Sequence, residues 1–105
     1  MARESCLLAI ILPTEDGKKP YIKNVSNSLD ALQAEVGGYI EVVSIATDMI
    51  AVVNEEGRLL GLPDNRYISG LVGNAVILSS KISGDGEFTG LPATKIADVL
   101  RMFGG

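Results

Sequence analysis

Residues 54–66 read Asn-Glu-Glu-Gly-Arg-Leu-Leu-Gly-Leu-Pro-Asp-Asn-Arg, and two turns enclose a short apolar segment in this stretch. Residues 54–57 carry the polar side chains and the glycine that favour a hairpin turn. Residues 63–66 fit a type I turn with proline at its second position. Hydrophobic segments flank both ends, so we expect the stretch to connect strands midway along the path of the chain through a sheet. Residues 58–61 are then a short strand or an extended arm.

Hydrophobic strands are predicted on both sides of this stretch. Residues 39–45 and 49–53 form two strands joined by a turn. Residues 71–78 form a strand interrupted by a Gly-Asn pair, which suggests a bulge or a close backbone approach. Residues 6–12 are a continuous apolar run, which predicts a central strand buried on both faces. Residues 20–25 alternate with period two, as an antiparallel partner does.

Two helices are predicted from helical spacing and end signals. Leu29, Leu32 and Val36 repeat at helical spacing after three candidate N-caps at residues 26–28, and Gly37-Gly38 ends that helix. Pro92 opens a last helix, and one face of it is apolar: Ile96, Val99, Leu100 and Phe103. With a short edge strand near Phe88, the element order predicts an α+β fold, namely a mostly antiparallel sheet of five to six strands with two helices on one face.

The composition predicts a single cytoplasmic domain. The 105 residues fit one domain, residues 1–105. The 47% hydrophobic share is ordinary, but the mean hydropathy of +0.29 is high for a domain with so small an interior, so we expect a homo-oligomer. Nine basic against thirteen acidic residues give a net charge of −4, which argues against a nucleic-acid partner. The apolar run at residues 6–12 is too short to span a membrane, and the single cysteine, Cys6, is expected to be a buried small hydrophobe in a reducing compartment.

Three motifs in order carry a family resemblance. They are Leu-Asp-Ala-Leu-Gln at 29–33 leading into Gly-Gly-Tyr-Ile-Glu at 37–41, the turn stretch at 54–66, and a late Val-Gly strand before a C-terminal helix. This order resembles the family called domain of unknown function 3846, small proteins of phages and mobile elements, from about Leu7 to Phe103. The chain departs from it in a shorter link between Arg66 and Val72 and in Pro92, where the family tends to place a threonine. The resemblance implies the cytoplasm of a bacterial host and carries no biochemical activity.

The residue types argue against an enzyme. The chain has no histidine, which removes Ser-His and Cys-His pairs, imidazole bases and histidine metal sites. A carboxylate site of Glu41 with Asp48 or Glu55 is chemically able to hold Mg²⁺, but solvated acids at turns are the commoner occurrence. We expect no catalytic residue, no metal and no cofactor.

Arg66 is the central candidate for ligand binding. At the end of its turn, its planar fork is suited to a carboxylate or a phosphate. The structural alternative is an ion pair with Asp64 or Glu55. The backbone N–H groups at Gly73 and Asn74 are a weaker candidate for an anion.

The tyrosines and asparagines have structural alternatives too. Tyr39 and Tyr67 can stack on a base, although tyrosines in strands more often pack. Asn54 and Asn65 more often form turns than contact ligands. The candidate ligand-binding set comprises Tyr39, Glu41, Asn54, Asn65, Arg66, Tyr67, Gly73 and Asn74.

Two functions follow from this set. The first is a non-enzymatic phage or mobile-element accessory protein that sequesters a small anionic, nucleotide-like ligand, such as a host defence signal. The second is a protein-binding inhibitor of a host factor that acts through an apolar patch or a sheet edge. A deep pocket with converging polar groups favours the first, and a flat apolar patch or an open strand favours the second.

Overall fold

A computed structural model describes residues 6–84 and 86–104 as a sheet with two helices. The strands are β1 Cys6–Leu12, β2 Tyr21–Ser26, β3 Ile40–Ala46, β4 Met49–Asn54, β5 Ala75–Ile82 and β6 Phe88–Thr89, and the helices are α1 Leu29–Val36 and α2 Ile96–Met102. The sheet is antiparallel, in the order β2-β1-β5-β4-β3, and β6 pairs with β5. The predicted α+β class and antiparallel sheet are confirmed.

The two helices lie on opposite faces of the sheet, so the prediction that both share one face is wrong. Side chains alternate between faces along a strand. In β1, Leu7, Ala9 and Ile11 pack with Leu32 and Val36 of α1. The alternate β1 residues belong to a second core, against which Ile96, Val99 and Leu100 of α2 pack together with Phe103, the residue that follows the helix. Since β1, β4 and β5 are apolar on both faces, each face of the sheet has to be shielded from water by a packed helix.

The prediction that β1 lies inside the sheet is confirmed, since it pairs with β2 on one side and β5 on the other. Cys6, however, is exposed rather than buried. It is the first residue of β1, and the buried part of the strand begins at Leu7. The apolar neighbours of Cys6 in sequence therefore do not enclose its thiol.

The segment at Phe88 is not a free edge. β6 pairs with β5, and Leu91 N–H donates to Leu8 O at 2.8 Å, so the segment lies between the N-terminal half of β1 and β5. A Cβ built on Gly90 would lie 2.5 Å from Leu8 N, which shows how closely the two backbones approach. β1 and β5 pair directly only at the other end of β1.

The ends of α1 follow the predicted signals. Ser28 is the N-cap among the three candidates, and its Oγ accepts from Ala31 N–H at 3.1 Å. Gly37 ends the helix at φ +81°, a conformation that glycine adopts without strain. Leu29 is 56% exposed, so the packed face of the helix begins at Leu32.

Three predicted elements differ in the structure. Residues 58–61 form helical turns rather than a strand, because Leu60 N–H donates to Glu56 O. The strand predicted from residue 71 begins at Ala75, and Val72 makes an isolated bridge with Asp64. The last helix begins at Ile96, after a turn that follows Pro92. Neither of the two helices in the described part of the chain is long and apolar enough to cross a membrane.

Candidate functional site

The predicted site residues lie around one end of the sheet. β1 and β4 end there, β2, β3 and β5 begin there, and residues 55–74 connect β4 to β5 across it. Three buried or half-buried asparagines organise this connection, and each of them bonds to backbone rather than to open solvent.

Asn54 joins the end of α1 to the turn that follows β4. Its Nδ2 donates to Val36 O at 3.1 Å, and its Oδ1 accepts from Glu56 N–H at 2.8 Å. The residue is 4% exposed. Because both ends of the amide are bonded within the protein, Asn54 holds the turn, as asparagines in turns commonly do.

Asn65 and Asn74 hold the second half of the connection. Asn65 is buried, and its Nδ2 donates to Leu12 O and to Gly73 O, both at 3.0 Å. Asn74 Oδ1 accepts from the backbone N–H of Thr14 at 2.9 Å and from its hydroxyl at 3.0 Å. The two side chains therefore fix residues 65–74 against the end of β1.

Gly73 does not present a free amide to an anion. Its N–H donates to Pro63 O at 2.7 Å. Its φ is +78°, and a Cβ there would lie 2.9 Å from Leu62 Cδ1, so this position favours glycine on conformation and on space. The glycine closes the bridge between residues 64 and 72.

Arg66 makes an ion pair, but its partner is neither of the predicted acids. Its Nη2 lies 3.2 Å from Asp16 Oδ1, and its guanidinium carbon lies 5.9 Å from the centre of the Tyr67 ring. Tyr67 donates its hydroxyl to Lys18 O at 2.9 Å. Both side chains thus contact the loop between β1 and β2. The sequence pattern does not predict these contacts, because the loop is distant in sequence.

The structure divides the eight candidate residues into two groups. Asn65, Arg66, Tyr67, Gly73 and Asn74 gather around the β1–β2 loop. The others are at the start of β3: Tyr39, Glu41 and Asn54. Nothing in the described contacts joins the two groups into one pocket.

Arg58 is a charged residue at this end that sequence reasoning missed. Its Nη2 donates to Gly70 O at 2.7 Å, and it lines a cleft of about 120 Å³ together with Glu41 and Glu55. Its position directly after the Glu-Glu-Gly turn was a signal from which the sequence could have placed it at this end of the sheet. The cleft is small, and its lining contains two acids and one arginine, which makes it unsuited to an anion. Among residues 6–84 and 86–104, no cluster of three metal-ligating side chains occurs.

The outer edge of β3 lies at this end of the sheet order. Among the described residues β3 pairs with β4 alone. Glu55 N–H donates to Tyr39 O at 2.8 Å, in register with the β3–β4 ladder. Because bonded pairs alternate along an antiparallel ladder, residues 41 and 43 bond to β4. The N–H and C=O groups of residues 40, 42 and 44 then point away from the sheet.

Apolar side chains surround the start of this edge. Tyr39 is 65% exposed, and it lines a groove with Leu60, which is 59% exposed. Leu59, 87% exposed, lines the small cleft beside Glu41. Val42 is 46% exposed in the middle of the free edge. An open strand therefore begins next to exposed aromatic and aliphatic surface.

A model of the family described as "Domain of unknown function (DUF3846)" matches residues 9–104. The chain belongs to this DUF3846 family. The match covers nearly the whole chain, in agreement with the resemblance of its motifs. No curated protein matches the chain, and no solved structure does.

Proposed function

We propose that the protein is a non-enzymatic accessory protein of a phage or mobile element, and that it binds an extended segment of a host protein along the free edge of β3. The observation that carries this proposal is the row of outward-facing backbone groups at Ile40, Val42 and Ser44. Such a row is a template for one more strand.

The sequence of β3 lacks the usual protection of an edge. Its seven residues, Ile-Glu-Val-Val-Ser-Ile-Ala, contain one charged residue, Glu41, and neither lysine nor proline. The opposite edge strand, β2, carries Lys23, and lysine is a common means of blocking edge pairing. The register of β3 is regular from Ile40 to Ser44, and its irregularity comes after that segment. The regular segment is long enough for a short strand to pair.

The groove that Tyr39 and Leu60 line can make the β3 edge specific for certain partner sequences. In strand addition, main-chain hydrogen bonds supply affinity, and pockets for alternate side chains supply specificity. Tyr39 directly precedes Ile40, so a chain paired to β3 reaches the groove at one of its ends. We therefore expect an apolar side chain of the partner to enter it.

Capture of a nucleotide-like anion, the other function predicted from sequence, needs cationic and amide groups that converge. At the loop end of the sheet, Arg66 already pairs with Asp16, and the Gly73 N–H already donates to Pro63 O. These contacts favour the protein-binding function. Calorimetric titration of cyclic and linear nucleotides into wild type and Arg66→Ala tests the alternative directly, since capture through Arg66 requires about a tenfold or greater loss in the variant.

The binding proposal is tested with peptides tiled across the proteome of the bacterial host and displayed for selection. Val42→Pro removes the outward N–H without removing a bond to β4, and Val42→Ala removes the side chain and keeps the N–H. We expect peptides that bind wild type and Val42→Ala and fail to bind Val42→Pro. Peptides that bind all three proteins equally, or a selection that yields none, would overturn the proposal.

Light scattering of the same three proteins tests the expected homo-oligomer. A dimer that persists in Val42→Pro uses another surface and leaves β3 available. A wild-type dimer that becomes a monomer in Val42→Pro would show a second copy on this edge, and binding of a host protein there would be excluded.

A further inference from the structure

The far end of the sheet carries a cleft of about 330 Å³ between α2 and the strands β4 and β5. It lies at the start of β4, away from the connection at residues 55–74 and from the sequence-predicted residues. The residues that line it include Asp48, Met49, Ser79, Lys81, Leu91 and Lys95. Its volume is near the lower end of the range of small-molecule sites, about 300–1,000 Å³.

Two lysines from different elements line the cleft. Lys81 belongs to β5, and Lys95 immediately precedes α2. Within the part of the chain that the structure describes, neither ammonium group lies within 4.0 Å of a carboxylate oxygen, whereas Lys18 and Lys23 each have such a partner. Asp48 is the carboxylate in the lining. The lining therefore has a net positive charge in a chain whose net charge is −4.

Ser79 supplies a buried hydrogen-bond donor to the same cleft. Its side chain is on the α2 face of β5, opposite Met49 of β4, and the residue is 8% exposed. Its Oγ accepts from Lys81 N–H at 3.1 Å, and in the described residues no acceptor takes its hydroxyl proton. A serine hydroxyl donates one bond and accepts two. The donor of Ser79 is thus available to an acceptor that enters the cleft.

The floor of the cleft is apolar. Met49 and Leu91 are 6% and 5% exposed, and Val99 and Pro92 stand beside them. An apolar floor with a few polar groups at its rim is the usual composition of a small-molecule site. It selects a ligand with an apolar body rather than a bare ion.

We propose that this cleft binds a small amphipathic anion, namely a phosphate or carboxylate joined to a compact apolar or aromatic body. The lysines and the Ser79 hydroxyl hold the anionic group, and Met49 and Leu91 contact the body. The site uses none of the residues of the β3 edge, so it stands independently of the protein-binding function. It also places anion binding away from Arg66.

Titrations followed by NMR or calorimetry test the site with defined probes: phenyl phosphate, benzoate, inorganic phosphate and the neutral analogue benzyl alcohol. The test variant is Lys81→Gln with Lys95→Gln, and its matched control is Lys18→Gln with Lys19→Gln, which changes the net charge equally. We expect wild type and the control to bind phenyl phosphate or benzoate, and the test variant to bind at least about tenfold more weakly. We expect inorganic phosphate and benzyl alcohol to bind more weakly than either.

Two single substitutions, Asp48→Asn and Ser79→Ala, should change the affinity for the anionic probes in opposite directions. Removing the carboxylate of Asp48 should tighten binding of either anion by several-fold, because it removes a like charge, and Ser79→Ala should weaken binding. The proposal is overturned by equal affinities of the test and control variants. It is also overturned if no probe binds with a Kd below about 10 mM, or if inorganic phosphate binds as tightly as phenyl phosphate.

Discussion

Asn65 donates its side-chain amide to Leu12 O at 3.0 Å, across 53 residues of sequence. The same nitrogen donates to Gly73 O, and the Oδ1 accepts from Tyr67 N–H. One buried side chain therefore holds the end of β1, the second turn of the connection and the approach to β5 together. The position of this whole end of the sheet depends on it.

Asn65→Ala should lower the free energy of unfolding by about 1–3 kcal/mol, because it leaves buried carbonyl groups without a donor. Chemical denaturation measures the change. Asn24→Ala is the matched control, since Asn24 is exposed on β2, and it should leave stability within experimental error. Equal effects of the two substitutions would show that the bonds of Asn65 contribute nothing specific.

Gly90→Ala should destabilise the protein strongly. The added Cβ would lie 2.5 Å from Leu8 N and 3.1 Å from Leu8 O, so the β6 segment has to move away from β1. Gly84→Ala is the control, because nothing lies within 4 Å of a Cβ there and its φ is not in the left-handed region. Thermal melts of both variants compare them. If Gly90→Ala melts with wild type, the β6 segment does not lie between β1 and β5.

Ile10→Asp should prevent folding, since Ile10 is fully buried and an unpaired charge at its position costs several kcal/mol. Ile22 is its partner in register on β2 and is 43% exposed, so Ile22→Asp should yield folded protein. Circular dichroism and cooperative melting distinguish the two. A cooperatively folded Ile10→Asp protein would place β1 outside the core.

The contribution of Lys23 should depend on pH at the alkaline end. Its Nζ donates to Glu35 Oε2 at 2.6 Å, and this bond raises the pKa of Lys23 above the ordinary 10.5. A raised pKa in the folded state means stability that is fully present below pH 10.5 and lost as the pH rises through the folded pKa. The stability difference between wild type and Lys23→Met should therefore be constant near neutrality and shrink above that value. Lys19→Met serves as the control, and a difference that persists through strongly alkaline pH would contradict the assignment.

Local signals predicted the elements well, and their assembly less well. The strands at β1, β3 and β4 and the ends of α1 follow from apolar runs, a serine cap and a glycine. The separation of the helices onto two faces was not predicted, because the apolar runs of β1 and β4 indicate burial on both faces without saying which helix covers which. Strand order likewise depends on pairing between distant segments, and periodicity does not report it.

In the candidate site, too, local contacts were predicted and contacts between distant segments were not. The turn roles of Asn54 and Asn65 follow from local chemistry, and both side chains do bond to neighbouring backbone. The partner of Arg66 proved to be Asp16, 50 residues earlier, rather than the acids nearer in sequence. Sequence proximity favoured the wrong carboxylates, since only the fold brings the β1–β2 loop beside residue 66.

Residue-resolved hydrogen exchange along β3 tests the central claim most directly. In the free protein, the amides of Ile40, Val42 and Ser44 should exchange fast, while those of Glu41 and Val43 are protected by their bonds to β4. A bound peptide of the kind proposed should protect the first three amides and leave the other two unchanged. Protection of the first three amides already in the free monomer, or no change in them when a partner binds, would contradict the account.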